Sequence, residues 1–274
     1  VFAPQAVDTV LDILVPDDEV GYIYRPHAVA RERGRDYDVE FRINALGLRD
    51  VEPTPPDGAF TVMVIGNSFS AGHGVELEDS FPKALQLRLR ARAGADAGIR
   101  VVNVANAGYE PWAYWKSYRR WAPVVRPDAV VVGYVLSREH GAHHEDVRFV
   151  VRDGLVQAVH REGEAPRLPR KNVLRSVRKH LARNSEFYVL MRNFFFYNER
   201  VGRVLKRGGD DSAGTHVVDP YLVRAPEHVA DGRDRSFDYV ARIHAEAARD
   251  GVPLVVAGIP RKEDVVEEAW GQVR

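Results

Sequence analysis

The sequence predicts an α/β fold of three layers, in which helices cover both faces of a mostly parallel sheet. Two observations predict it. Short runs of apolar, β-branched residues alternate along the chain with longer segments whose apolar residues recur at helical spacing. The short runs are apolar throughout rather than at every second residue, which is typical of parallel strands buried on both faces. A chain of 274 residues is long enough to bury a sizeable core between such layers.

Residues 1–58 are predicted to form an N-terminal extension before the main domain, which is predicted to comprise residues 59–274. Within the extension, the alternation of polar and apolar residues over 38–43 predicts a strand. The proline-rich segment EPTPPDG, residues 52–58, marks the boundary between the two.

The main domain begins with the alternation of strands and helices that indicates the fold class. Runs such as FTVMVI predict strands, and the segments between them have the apolar spacing of helices. One of these helices contains three tryptophans, which indicates an aromatic face packed on the core or under a lid. The predicted strands are 60–65, 99–105, 128–136 and 251–259, and the predicted helices are 80–93, 111–125, 236–249 and 262–273.

Residues 139–232 interrupt this alternation and are predicted to form an insertion over the carboxyl edge of the sheet. Within it, Asp153-Gly154 separates two alternating runs, which predicts a hairpin. The basic stretch 167–183 could bind an anionic ligand, but its charges are interleaved with Leu and Val at helical spacing, which favours a solvated amphipathic face. The aromatic run 194–197 is typical of core packing, and the alternatives are an acyl or sugar pocket or contact with a membrane.

Composition and charge exclude several classes of function. Lys plus Arg and Asp plus Glu both number 39, so the net charge gives no reason to expect nucleic acid or an anionic membrane as a partner. The absence of cysteine excludes disulfides, thiolate catalysis and cysteine metal sites. No apolar run approaches the roughly 18 residues of a membrane-spanning helix. No signal peptide is visible, and because the chain starts at Val1 we expect a mature or trimmed chain.

The stretch VIGNSFSAGHGV, residues 64–75, is the most informative part of the sequence. A strand that ends in Gly66-Asn67-Ser68 and opens into a helix places the serine at the carboxyl edge of the sheet, where open α/β sheets bind ligands. The free N–H groups at the start of the helix can stabilise an oxyanion. Two interpretations remain open at this point: Ser68 is a nucleophile, or Asn67 or Ser68 only caps the helix.

Three segments in order resemble the conserved blocks of the SGNH (GDSL-like) hydrolases. The turn GNSFSAGHGVELEDSFPKAL resembles block I, VVNVANAGY resembles block II, and VVVGYVLSREH stands where block III belongs. The segment FRINALGLRD is similar to the lead-in of the longer, bacterial members. The resemblance covers residues 38–140 and 236–260, and it implies a flavodoxin-like α/β/α fold.

The resemblance also implies a mechanism and a class of substrate. Ser68 would attack an ester to give an acyl-enzyme, with Asn67 supporting the turn and with Gly108 and Ser137 as oxyanion donors. The substrate would be a small ester or an acylated saccharide, and neither a cofactor nor a metal is implied. An O-acyltransferase on the same scaffold is an alternative. The oligomeric state is not indicated, and a cysteine-free chain is compatible with the bacterial cytoplasm and with the periplasm.

The sequence departs from the family pattern in three places. Block I has Asn67 where Asp is usual, and block III has Ser137-Arg138 where Asn-Asp is expected. No Asp or Glu stands three residues before any of the ten histidines, so the Asp-x-x-His block is missing from this chain. Two readings follow. The base belongs to a part of the protein beyond Arg274, or the protein is a degenerate member that binds without turnover.

Histidines after the third predicted strand are the candidates for a base within this chain. His140 and His143 are predicted at the carboxyl edge, near Ser68, where either could serve as a substitute base. With their acidic neighbours they could instead hold a metal, and a solvated loop is the simplest alternative. His73 is predicted to pack at the start of the helix rather than to reach the nucleophile.

Overall fold

The computed structural model describes residues 10–34, 37–53, 58–94, 97–135, 147–152, 155–160 and 227–260. All of these residues belong to one compact unit, Thr9–Arg161 with Val217–Arg274. The predicted domain boundary at residue 58 stays a prediction. The basic stretch 167–183, the aromatic run 194–197 and the helix predicted over 262–273 lie outside the described residues.

The N-terminal segment forms two antiparallel strand pairs after a 3-10 turn, Val10–Ile13. Tyr24 and Phe41 are fully buried between these strands, and their rings meet edge to face with centroids 5.3 Å apart. The last strand confirms the prediction for 38–43. The strands are β1 (Leu14–Asp17) paired with β2 (Gly21–Tyr24), and β3 (Val29–Arg33) paired with β4 (Asp38–Arg42).

Within the described part of the chain, four parallel strands form the central sheet, which confirms the predicted fold class. They are β5 (Phe60–Gly66), β6 (Ile99–Asn103), β7 (Ala129–Val135) and β10 (Leu254–Ile259), in the order β10-β7-β5-β6. The strand β10 begins at Leu254, later than predicted, because Pro253 has no N–H for the ladder and contributes only its carbonyl, to Val130.

Helices cover both faces of this sheet. The described helices are α1 (Ser68–Ala71), α2 (Phe81–Ala93), α3 (Pro111–Val125) and α4 (Glu227–Arg249). Alternate residues of β5 point to opposite layers, because Val62 and Val64 pack with residues of α2 while Met63 and Ile65 pack with residues of α3 and α4. No helix within the described ranges is long and apolar enough to cross a membrane.

The start of α4 differs from the prediction. The sequence predicts this helix from 236, yet it begins at Glu227. Ser236 resembles a helix cap in sequence, but its hydroxyl donates instead to the carbonyl of Gly232 one turn earlier, at 2.9 Å. The preceding turns are charged and contain Gly232, so they lack the apolar spacing by which a helix is recognised.

The predicted hairpin is present in the described part of the insertion. The strands β8 (Val147–Arg152) and β9 (Leu155–His160) pair antiparallel, and Arg152 is opposite Leu155. This register leaves two residues for the turn, as expected for Asp-Gly between alternating runs.

Candidate active site

The serine turn follows the end of β5, which lies between β6 and β7 in the sheet. Asn67 has an extended backbone, and its side-chain oxygen accepts a hydrogen bond from the N–H of Phe69 at 3.0 Å. Asn67 is therefore the N-cap of α1, and Ser68 is the first residue of the helix. The Ser68 side chain is partly buried and makes no hydrogen bond to another described residue.

Close contact between α1 and the sheet explains the small residues at this point. Gly66 and Gly133 are opposite each other on β5 and β7. The fully buried Ser70 lies against both glycines, so that a Cβ at either position would collide with its hydroxyl. These glycines allow the one-turn helix to sit directly on the strand ends.

The loop after β6 reaches the same edge of the sheet. The N–H of Asn106 donates to the carbonyl of Gly66 at 3.2 Å. The buried side chain of Asn103, the last residue of β6, donates to the carbonyl of Ser70 at 3.2 Å, which ties the end of the strand to α1. Gly108 has φ +72°, a conformation that favours glycine. The fold thus brings the Asn67-Ser68 turn and Gly108 to one edge.

The backbone N–H groups of Ser68 and Gly108 lie at this edge, and neither has a hydrogen-bond acceptor among the described residues. The N–H of Ser68 belongs to the first turn of a helix, where intrahelical acceptors are missing. The remaining predicted site residues, Ser137, His140 and His143, lie outside the described residues. The strand that precedes them, β7, ends at Val135 at the same edge of the sheet.

Two tyrosines of β2 bind the loop that contains Gly108, and these contacts were not predicted from the sequence. The hydroxyl of Tyr22 donates to the carbonyl of Ala107 at 2.8 Å, and the N–H of Ala107 donates to the hydroxyl oxygen of Tyr24 at 2.9 Å. The spacing of two residues puts both side chains on one face of the strand. The only signal in the sequence is the repeated tyrosine of GYIY.

His73 has partners for both ring nitrogens, and neither partner is Ser68. Its Nδ1 lies 2.8 Å from Glu32 Oε1, and its Nε2 lies 3.3 Å from the hydroxyl of Tyr24. Glu32 also accepts a hydrogen bond from the N–H of Gly74 at 3.0 Å. Burial of the carboxylate raises its pKa, but the hydrogen bonds from His73 and Gly74 and the charge of His73 outweigh this, so that the pKa of Glu32 lies below its usual value.

Arg49, in the FRINALGLRD segment, is fully buried beneath the serine turn. Its guanidinium donates to the carbonyls of Ala71 at 2.9 Å and Val75 at 2.6 Å, and also to that of Gly72. The same group stacks over the ring of Phe41, 4.0 Å from the centroid. Because the last carbonyls of a helix have no intrahelical donors, Arg49 satisfies the C-terminal end of α1.

Comparisons with known proteins give a structural match at low identity. No family model and no curated protein matches this chain. Among solved structures, a mutant of the esterase AlinE4 matches with a TM-score of 0.36 and 12% identity over 78% of this chain and 67% of that one. The crystal structure of AlinE4, an SGNH-hydrolase family esterase, matches with a TM-score of 0.25 and 21% identity over 27% of this chain and 39% of that one.

Proposed function

We propose that the protein is a serine hydrolase of the SGNH type that cleaves a small ester or an acylated saccharide through an acyl-enzyme on Ser68. The observation that carries the proposal is the pair of backbone N–H groups at Ser68 and Gly108. Both lie at the carboxyl edge of the sheet, and both lack an acceptor among the described residues. Because Asn67 caps the helix, the Ser68 hydroxyl is left available for chemistry.

In the proposed reaction, the Ser68 oxygen bonds to the ester carbonyl carbon while a base takes the hydroxyl proton. The negative charge on the carbonyl oxygen is held by the N–H groups of Ser68 and Gly108 and by the side chain of Ser137. The ester C–O bond then breaks, and the alcohol leaves with the proton. Water attacks the acyl-enzyme, releasing the acid and restoring Ser68. We assign the base to His140 or His143.

A fluorophosphonate probe tests the proposal directly. The Ser68 oxygen would bond to phosphorus, fluoride would leave, and the serine proton would pass to the base. We expect labelling of the unaltered protein and none of Ser68→Ala. Ser70→Ala is the matched control, because it removes a buried hydroxyl of the same turn that has no hydrogen-bond partner among the described residues. A folded protein that does not label would contradict the hydrolase proposal.

Variants of the two histidines locate the base. If His140 or His143 is the base, replacing that residue by Ala should lower the labelling rate by roughly 100-fold or more, the usual contribution of a general base. Labelling that survives both substitutions would assign the base to another residue.

A binding protein on the same scaffold is the second candidate. Two observations favour it: Asn67 supplies no charge at block I, and both nitrogens of His73 have partners other than Ser68. Such a protein would not react with the fluorophosphonate probe, yet it would gain thermal stability from an acylated saccharide.

An O-acyltransferase on the same scaffold would be labelled at Ser68, but it would transfer the acyl group to a sugar hydroxyl rather than to water.

A further inference from the structure

The N-terminal strand β2 contacts the loop that presents Gly108. We infer that Tyr22 and Tyr24 are positioning residues for the oxyanion hole, and that their hydroxyls hold the two peptide groups flanking Ala107 so that the Gly108 N–H points into the site. This inference rests on the proposed roles of Ser68 and Gly108. It extends the site to a strand that precedes block I by more than 40 residues.

The geometry of one peptide group carries the argument. The carbonyl of Ala107 and the N–H of Gly108 belong to the same peptide, and no described peptide bond is cis. In a trans peptide the C=O and N–H point in opposite directions. The hydrogen bond of 2.8 Å from the Tyr22 hydroxyl to the Ala107 carbonyl therefore also sets the direction of the Gly108 N–H.

Gly108 needs such a restraint more than another residue would. Its φ of +72° lies in a region that glycine enters freely, and glycine also populates the opposite sign of φ with similar ease. Rotation of the Ala107–Gly108 peptide would turn the N–H away from the site, and it would break the bond to Tyr22. The second bond, from the Ala107 N–H to Tyr24 at 2.9 Å, restrains the preceding peptide in the same way.

Both hydroxyls are themselves held in place. The Tyr22 ring packs edge to face on Tyr109, with centroids 5.3 Å apart, and the Tyr109 hydroxyl donates to the Tyr22 carbonyl at 2.6 Å. Tyr24 is fully buried and lies 3.3 Å from Nε2 of His73. Burial, and then the charge of Glu110, raises the pKa of Tyr22 well above its usual range, so its hydroxyl keeps the proton that it donates.

Tyr22→Phe is the sharpest test, because it removes the hydroxyl and keeps the ring. We expect the limiting rate of fluorophosphonate labelling to fall on the order of 10-fold, less than the roughly 100- to 1000-fold loss of a whole oxyanion donor. The half-saturating probe concentration should stay unchanged. The Gly108 amide should show microsecond-to-millisecond exchange by ¹⁵N relaxation dispersion that the unaltered protein lacks. Tyr24→Phe should also lower the labelling rate and increase the exchange of the Gly108 amide. It replaces Tyr22→Phe as the test if that variant does not fold.

Tyr118→Phe is the matched control, since the Tyr118 hydroxyl bonds to Asp250 at 2.6 Å on the α3–α4 side. It should leave both measurements unchanged. A folded Tyr22→Phe protein with the unaltered labelling rate and an unaltered Gly108 amide would overturn the inference. If the unaltered protein does not label at all, the proposed function fails instead. The relaxation of Gly108 then decides the positioning role by itself, and a rigid Gly108 in Tyr22→Phe would overturn it.

Discussion

Asn67 and Ser68 are adjacent polar residues at the start of a helix, and helix capping gives them different roles. Both residue types are good caps, so the sequence leaves the choice between them open. The geometry makes the choice, because Asn67 has an extended backbone and accepts the Phe69 N–H at 3.0 Å. An amide side chain performs this capping without a charge, so the departure from Asp in block I preserves the turn. What it removes is a negative charge beside the proposed nucleophile.

The Glu32–His73 pair is expected to make the stability of the protein depend on pH. The pKa of Glu32 is lowered in the folded protein, so its contribution to stability is present above its unfolded pKa of about 4.5 and is lost as the pH falls through the folded value. We expect Glu32→Gln to be less stable than the unaltered protein at pH 7. The difference should shrink as the pH falls below about 4.5.

Urea denaturation at pH 7 and at several values below pH 5 measures this difference. Glu19→Gln is a suitable control, because the Glu19 carboxylate is largely exposed and, among the described residues, forms an ion pair only with Arg120, at 3.1 Å. Its effect should be small at every pH, as for other surface ion pairs. A Glu32→Gln protein whose deficit is equal at pH 7 and pH 3 would show that the carboxylate charge is not what stabilises this pair.

The helix α1 is too short to be stable by itself. A single turn fixes several residues for very few hydrogen bonds, so its stability must come from neighbours. The glycines of β5 and β7 allow α1 to approach the sheet closely. Arg49 donates hydrogen bonds to three carbonyls at the C-terminal side of α1. The segment LGLRD thus acts on the serine turn from a distance of about 20 residues in sequence.

Replacing Arg49 should therefore affect α1 in particular. Arg49→Lys keeps the charge but cannot reach three carbonyls with a single ammonium group, and Arg49→Met leaves them all without a donor. We expect a loss of about 2–3 kcal/mol in the free energy of unfolding for Lys and more for Met. Ser68 labelling should slow in both variants. Arg42→Lys, on the exposed end of β4, is the control, and equal stability of Arg42→Lys and Arg49→Lys would contradict this role.

Some elements were predictable from the sequence and others were not, for physical reasons. Burial on both faces gives β5 and β7 continuous apolar runs, and α3 has a wide aromatic face, so each was predicted to within about a residue. The strands β1 to β3 have only four or five residues each and mixed exposure, so their sequences show no clear alternation of polar and apolar residues.

The candidate site was predictable from the sequence in part. Strands of a parallel sheet end at one edge, so the common location of Ser68 and Gly108 follows from the order of strands alone. Their catalytic roles stay predictions. The contacts of Tyr22 and Arg49 could not be predicted, because they join residues 20 or more positions apart in the sequence. Their partners lie in loops and turns, where no periodic pattern of apolar residues indicates the contact.

The N-terminal segment was predicted as an extension, but its side chains enter the centre of the molecule. Val20 and Leu48 belong to the core cluster beneath α3. Asp50 is buried, forms an ion pair with Lys83 of α2, and accepts the N–H of Asn103 at 2.7 Å. A chain without this segment would leave the buried Lys83 ammonium without its carboxylate, which is strongly destabilising.

We therefore expect a chain that begins at residue 59 to lose the cooperative unfolding transition, which urea denaturation followed by circular dichroism would measure. Asp50→Asn in the full chain is the matched control, because it removes only the charge opposite Lys83. That variant should lose about 3–5 kcal/mol, the usual cost of breaking a buried pair, while still unfolding in one transition. If the shortened chain instead unfolds cooperatively at the same urea midpoint as the full chain, residues 1–58 are not required for the stability of the fold. The sheet and its helices would then suffice to build the serine turn.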